Sequence, residues 1–166
     1  MSSYPETLAW LFSLQKFGIK LGLENIRGLL ESCGNPQRSY PTVHVAGTNG
    51  KGSTSAFIAS ILTESGCRTG LYTSPHLTDF HERIRVDGVP ISQDAIVRYS
   101  EELRVEADAR KATFFEATTC MALRHFADEH VDVAVIETGL GGRLDSTNII
   151  EPRVTVITSV GMEHTD

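Results

Sequence analysis

Thr42-Val43-His44-Val45-Ala46-Gly47-Thr48-Asn49-Gly50-Lys51-Gly52-Ser53 runs from a β-branched stretch through a glycine-rich turn to a lysine and a hydroxyl. A helical pattern opens near Ser53. Strand, glycine turn, lysine, hydroxyl and helix, in that order, make a phosphate-binding loop. The glycines let backbone N–H groups turn inward as a concave anion nest. The new helix points its positive end at the same spot. In such a loop Lys51 reaches the outer phosphates and the Ser53 hydroxyl binds magnesium. The stretch therefore predicts a nucleoside triphosphate site. It departs from the common G-x-x-x-x-G-K-[ST] form twice: Val45 stands where the first glycine belongs, and Gly52 separates Lys51 from Ser53. The competing reading is a plain glycine turn with a surface lysine.

Working outward, the loop lies inside a strand–helix–strand unit. The helix runs from about Ser53 to Ser65, with Phe57, Ile58, Ile61 and Leu62 as its expected buried stripe and Gly66 as its stop. Thr69–Tyr72 follows as a short strand, which implies parallel strands joined by a right-handed crossover. Upstream, Ser3-x-x-Glu6 is a capping box that starts a first helix. A second helix covers Leu23 to Cys33 and stops at Gly34. Downstream, a long loop from Thr73 to about Pro90 is interrupted by a strand at Arg83–Val86, and Gln93–Ala109 reads as helix. Thr113-Phe114-Phe115-Glu116 is another capping box, opening a helix to about Asp128 with Ala117, Cys120, Met121, Leu123 and Phe126 inward. Val131–Glu137 is a near-continuous apolar strand, as a sheet covered on both faces requires. A glycine-rich loop spans Thr138–Thr147, and Val154–Thr158 is a last strand. The pattern is α/β, an open and mostly parallel sheet flanked by helices. Ligands of such sheets sit beyond the carboxyl ends of the strands, and four strand ends converge there.

The 166 residues suffice for one domain with a sizeable core. The apolar fraction of 40% and charged fraction of 22% are those of a globular protein. A net charge of −6 argues against nucleic acid or an acidic membrane as partner, so an anionic nucleotide must be held by local dipoles and Lys51. We find no signal peptide pattern and no apolar run near the ~20 residues of a membrane span. Cys33, Cys67 and Cys120 are scattered and form no CxxC pair, which predicts small buried hydrophobes in a reducing cytoplasm rather than a disulfide framework or zinc site.

Glu137 ends four apolar residues with a carboxylate, the place where phosphate-loop enzymes put an acidic magnesium ligand; a solvent-facing strand end is the alternative. Ser74 closes a turn after the Thr69–Tyr72 strand or ligates magnesium, with the turn favoured by local spacing. His164 is a metal ligand or a surface residue. His44 reads as a packed or hydrogen-bonded strand residue, and His125 and His130 as helix-surface or helix-end residues. In Gly139-Leu140-Gly141-Gly142-Arg143-Leu144-Asp145, three glycines imply unusual dihedrals or close approach to a ligand. Arg143 and Asp145 either pair across that loop or bind substrate.

The chain resembles the N-terminal part of folylpolyglutamate synthases, including the bifunctional dihydrofolate synthase form, within the Mur ligase superfamily of ATP-dependent amide ligases. The resemblance rests on His44–Ser53, Thr73-Ser74-Pro75-His76, Glu82-Arg83-Ile84, Thr113-x-Phe115-Glu116, Glu137–Asn148 and Thr158–Thr165, in order along nearly the whole chain. The extra glycine between lysine and hydroxyl is the family's own variation. The resemblance implies a fold like the Mur ligase central domain and an ATP site at Gly47, Thr48, Asn49, Gly50, Lys51, Gly52, Ser53 and Thr54. It implies Mg2+ at Ser53, Ser74, Glu137 and His164, with Lys51, Glu137 and His164 carrying catalysis. Thr113, Phe115, Asp145 and Ser146 match pterin-pocket positions, although Ser146 stands where alanine is common, and Arg83 is placed toward the folate or glutamate side. The implied substrates are ATP, L-glutamate and dihydropteroate or folates, handled by a cytoplasmic monomer with neither nucleic acid nor membrane as partner.

Members of that family are more than twice as long. They carry a carbamylated lysine beyond the His164 motif and a C-terminal glutamate-binding domain, neither of which occurs in residues 1–166. The resemblance therefore assigns 1–166 to an incomplete, truncated N-terminal ATP-binding domain, catalytically weak or inactive alone. A Mur-type cell-wall ligase and a non-catalytic ATP-binding fragment are the alternatives. A generic kinase or GTPase is disfavoured by the lack of an N-K-x-D motif.

Overall fold

The computed structural model describes residues 2–161. Its helices are α1 (Tyr4–Ser13), α2 (Glu24–Ser32), α3 (Lys51–Glu64), α4 (Gln93–Arg110) and α5 (Phe114–Asp128). Its strands are β1 (Thr42–Ala46), β2 (Thr69–Tyr72), β3 (Ile84–Val86), β4 (Val89–Pro90), β5 (Val133–Glu137) and β6 (Val154–Ile157). They form one sheet in the order β4-β3-β2-β5-β1-β6. β2, β5, β1 and β6 run parallel, while β3 and β4 turn back as an antiparallel hairpin. Both capping boxes form: Glu6 N–H donates to Ser3 Oγ and Ser3 N–H to Glu6 Oε2, and Glu116 and Thr113 do the same at α5.

Alternation along the strands assigns the two faces of the sheet. Tyr72, Ala134 and Ile136 enter the large core built with α1, α2, α4 and α5. Leu71, Val135, Val43 and Val45 point the other way, against α3. α5 carries most of the large core, with Cys120, Met121, Leu123 and Phe126 inaccessible to solvent. Each such side chain contributes about 1.5–3 kcal/mol of burial if large. Gly70 lets Phe126 lie flat on β2, since a Cβ there would sit 2.8 Å from its ring.

α3 departs from the sequence expectation. Ser55 and Ala59 are buried on the sheet with Ile58 and Leu62 beside them, while Phe57 is 70% and Ile61 69% exposed. Its apolar residues Phe57, Ile58, Ile61 and Leu62 form no single clear stripe, so periodicity does not choose the inner face; the small residues Ser55 and Ala59 do, by allowing close approach to the strands. α3 also starts at Lys51, two residues earlier than expected, and β4 was not foreseen. Arg83, expected in a strand, lies in the 3-10 turn Phe80–Arg83 that precedes β3. His125 sits in the last turn of α5 but is buried, because Tyr99 of α4 packs over its ring at 5.8 Å. Cys120 is buried, whereas Cys33 and Cys67 are only half-buried. Among the described residues no helix is long and apolar enough to cross a membrane.

Candidate nucleotide and substrate site

β1 delivers the chain into Gly47-Thr48-Asn49-Gly50, and α3 begins at Lys51. Two positions in this bend require glycine. Gly47 has φ 137° and its missing Cβ would meet Thr158 Oγ1 at 2.0 Å; Gly50 has φ 82° at the N-cap of α3. Lys51 folds back over the loop, its Nζ donating to Gly47 O at 2.8 Å and Thr48 O at 3.2 Å. Thr48 N–H donates to Ser159 O at 2.7 Å and Gly161 N–H to Thr48 Oγ1 at 3.0 Å, which ties the loop to the segment after β6.

Glu137 lies one strand away. Parallel pairing sets it beside Val45, just before the bend, and it is only 4% exposed. A Cβ on Gly52 would come within 3.7 and 3.8 Å of its carboxylate oxygens. The Glu137 carboxylate thus lies close to the first turn of α3, at the inserted glycine. Glu137 Oε2 accepts from Ser74 N–H at 3.0 Å, in the loop after β2, next to a cis Ser74–Pro75 peptide. Burial raises the Glu137 pKa, and Ser74 N–H, Lys51 and Arg83 only partly offset that. A half-compensated buried carboxylate suits a hard, oxygen-preferring cation. The described residues hold no cluster of three His, Cys, Asp or Glu side chains. A single carboxylate fits Mg2+, which is commonly held by one or two carboxylates. His164 lies outside the described residues.

A cavity of about 360 Å³ opens next to Ser74 and is lined by Arg83, Thr113, Phe115, Asp145 and Ser146 together. Those five residues come from three separate segments, the 3-10 turn before β3, the start of α5 and the turn at Asp145–Ser146, and the fold brings all of them to one place. Thr113 is the N-cap of α5, so its Oγ1 already accepts from Glu116 N–H at 3.1 Å and its own proton is free for a ligand. Phe115 stands against Gly139, where a Cβ would lie 2.5 Å from the ring. Arg83 is buried, its guanidinium 5.2 Å from the Phe114 ring centroid and its Nε donating to His76 Nδ1 at 2.7 Å.

Asp145 has a different occupation from the two weighed in the sequence. It makes no ion pair with Arg143 among the described residues. Its Oδ2 accepts from Gly139 N–H at 3.0 Å and Leu140 N–H at 2.8 Å. Its Oδ1 accepts from Thr147 N–H at 2.9 Å and Thr147 Oγ1 at 2.6 Å. Four bonds fill its acceptor capacity, so Asp145 shapes the wall. Thr147 donates to Asp145 and accepts from His44 Nε2 at 2.8 Å, which makes His44 the hydrogen-bonded strand residue expected. Burial lowers the His44 pKa, in keeping with a neutral donor.

A second cavity, of about 620 Å³, is lined by Gly47, Thr48 and Lys51 on one side and Gly139 to Gly142 on the other. Gly139 and Leu140 line both cavities. Sequence reading missed Gln15 and Gly18–Leu21 on the smaller cavity. Their role is visible only in the structure, where Ile19 and Leu21 are 75% and 73% exposed between Gly18 and Gly22, both at positive φ.

A family model described as the Mur ligase middle domain matches residues 45–166. The dihydrofolate synthase/folylpolyglutamate synthase of Bacillus subtilis is 43% identical over 170 residues, covering 98% of this chain and 40% of that protein. Folylpolyglutamate synthase from Thermotoga maritima superposes with a TM-score of 0.89 at 42% identity, over 96% of this chain and 38% of that one. An FPGS–AMPPCP–folate complex superposes at 0.88 and 40% identity, over 99% and 42%. The chain spans two fifths of the length of the B. subtilis relative.

Proposed function

The chain belongs to the Mur ligase family, and from that premise we propose that it is the ATP-binding part of a ligase joining L-glutamate to dihydropteroate or to folate glutamyl tails. The observation that carries the reading is the shared wall: Gly139 and Leu140 line both the phosphate-loop cavity and the Thr113–Phe115–Ser146 cavity. Two substrates held in adjoining chambers, with Glu137 and Ser74 beside the wall, are what phosphoryl transfer between them needs.

In this reading ATP lies along Gly47 to Thr54. Backbone N–H groups and the amino end of α3 face its phosphates, and Lys51 keeps one N–H beyond the two it gives to Gly47 and Thr48. Glu137, Ser53 and Ser74, with His164, would hold Mg2+, which supplies positive charge near the phosphate oxygens when bound. The flat ring of a pterin enters the smaller cavity against Phe115, with Thr113 and Ser146 as polar contacts, Asp145 holding the wall and Arg83 offering its guanidinium. The γ-phosphoryl group passes from ATP to the substrate carboxylate, leaving ADP and an acyl phosphate. The glutamate amine then attacks the acyl carbon, phosphate departs and an amide remains. The chain's residues orient the reactants and offset the charge of two anions as they meet. None has to act as a covalent nucleophile.

The proposed enzyme is a cytoplasmic monomer acting on small molecules, with its glutamate-binding part in the longer portion that the relatives possess. Titration calorimetry tests the reading directly. A non-hydrolysable ATP analogue with Mg2+ should bind once per chain, and dihydropteroate should bind alongside it, with little ADP release from this chain alone. Absence of analogue binding, or preference for a UDP-muramoyl ligand over dihydropteroate, would overturn it.

A further inference from the structure

Arg83, on the smaller cavity, is a buried cation without a counter-ion. It is only 7% exposed, yet it pairs with no carboxylate among the described residues, whereas Arg68, Arg98, Arg110 and Arg124 all do. Burial disfavours its charged form, and a buried charge left uncompensated is costly. An anion entering the cavity would relieve that cost.

Two contacts hold the guanidinium. It lies 5.2 Å from the Phe114 ring centroid, and its Nε donates to His76 Nδ1 at 2.7 Å. Its two outer nitrogens make no hydrogen bond among the described residues, and neither is among the buried unpartnered atoms. Arg83 lines the cavity, so these nitrogens open into it. His76 is held in turn, with the Phe12 and Phe80 ring centroids each 6.4 Å from its own. Accepting at Nδ1 puts the ring proton on Nε2. His76 stands in the loop that also brings Ser74 and Pro75 to the cavity. The Arg83 charge is felt at Glu137, where it partly offsets the effect of burial on that carboxylate. The guanidinium therefore stands on the side of the cavity that adjoins the phosphate-loop site.

We propose that His76 is a positioning residue: by occupying Arg83 Nε it turns the two outer nitrogens into the cavity as a fork for the carboxylate of the substrate acid. Two parallel N–H donors meet two carboxylate oxygens only when the planar guanidinium is held at one rotation. Without an acceptor at Nε the side chain turns freely about its last bonds and the fork is lost. The identity of the acid rests on the folate-ligase reading; the pairing of His76 with Arg83 does not.

Calorimetry tests this with dihydropteroate and its carboxamide, which differs only at the acid group. The parent chain should bind dihydropteroate at least ~10-fold more tightly than the carboxamide. Arg83→Met should remove that preference. His76→Phe keeps a ring near Phe12 and Phe80 but offers no acceptor, and should cut the preference at least ~3-fold. His76→Asn sets an amide oxygen in place of Nδ1 and should restore most of it. In the Arg83→Met background His76→Phe should change nothing further. Thermal melts confirm that each variant folds. Proton–nitrogen NMR spectra read the pairing without any ligand: the Arg83 Nε–H should exchange slowly with water in the parent and in His76→Asn, and fast in His76→Phe. Failure of both pterins to bind the parent would remove the folate reading, while the Nε–H signal still decides the pairing. The proposal is overturned if His76→Phe keeps the parent's preference, if it weakens both ligands equally, if His76→Asn fails as His76→Phe does, or if the Nε–H exchanges as fast in the parent as in His76→Phe.

Discussion

Gly52→Ala adds one methyl group between the first turn of α3 and the Glu137 carboxylate. Its effects on folding and on nucleotide binding should have opposite signs. The new Cβ would lie 3.7 and 3.8 Å from the two carboxylate oxygens, an ordinary van der Waals contact. Gly52 is absent from the positive-φ positions, so alanine fits its backbone. Alanine in place of helical glycine gains at most about 1 kcal/mol, which in a chain of this size raises Tm by roughly 2–4 °C. Binding should suffer, because on the proposed reading Glu137 would hold the Mg2+ of the nucleotide and the added methyl group takes up space beside its carboxylate. A tenfold to hundredfold loss, about 1.4–2.8 kcal/mol, is expected for the Mg2+ complex of a non-hydrolysable ATP analogue. The metal-free analogue, held by the loop alone, should lose less. Differential scanning fluorimetry and calorimetry give both numbers. A Tm that drops by several degrees, or an unchanged affinity for the magnesium complex, would refute the assignment of this space to the cation.

Glu137→Gln should abolish the magnesium-dependent part of nucleotide affinity. It should also flatten the pH dependence of apo-protein stability. The folded Glu137 pKa is raised above 4.5, so the native state holds a proton that the unfolded chain has lost, and stability falls as pH rises from about 4.5 through the folded value; denaturant melts from pH 4 to 8 read that slope, which the variant should lack. Thr147→Val takes from His44 the partner of its Nε2 and from Asp145 one of its four donors, and should cost about 1–3 kcal/mol in urea unfolding. Gly139→Ala drives a Cβ to 2.5 Å from the Phe115 ring, and separate titrations should find both dihydropteroate and nucleotide bound at least ~10-fold more weakly. Cys33 has its pKa lowered to about 7, chiefly by the Cys120 thiol next to it; its alkylation rate, followed by mass spectrometry, should reach half its plateau near that pH.

The parts of the fold that were legible in the sequence are those decided locally. The two capping boxes, the β1–loop–α3 turn and the apolar run of β5 each declare themselves within a few residues, because the hydrogen bonds or burial they need are near in sequence. The inner face of α3 was not legible, since Phe57 and Ile61 are as apolar as Ile58 and Leu62, and only contact with the sheet separates them. His125 lies at its helix end, one of the two places expected, but its burial was not legible for a similar reason: it depends on Tyr99, an α4 residue 26 positions earlier. Lys51, Ser53 and Glu137 were identified from motif chemistry. For Arg83, Thr113, Phe115, Asp145 and Ser146 only a family resemblance linked the positions, because no spacing rule joins residues on segments so far apart in the chain. The saturation of Asp145 by four local donors, and the narrow space between Gly52 and Glu137, are three-dimensional facts with no sequence signal of their own.

The strip formed by Gly139 and Leu140 has two wetted sides. Because one short piece of backbone faces both chambers, it cannot shift to suit an occupant of one without altering the shape offered to the other. Thermodynamics then demands reciprocity: whatever factor the first guest imposes on the second, the second imposes on the first, regardless of arrival order. Occupancy of either chamber is in that sense a message delivered to its neighbour through one glycine and one leucine.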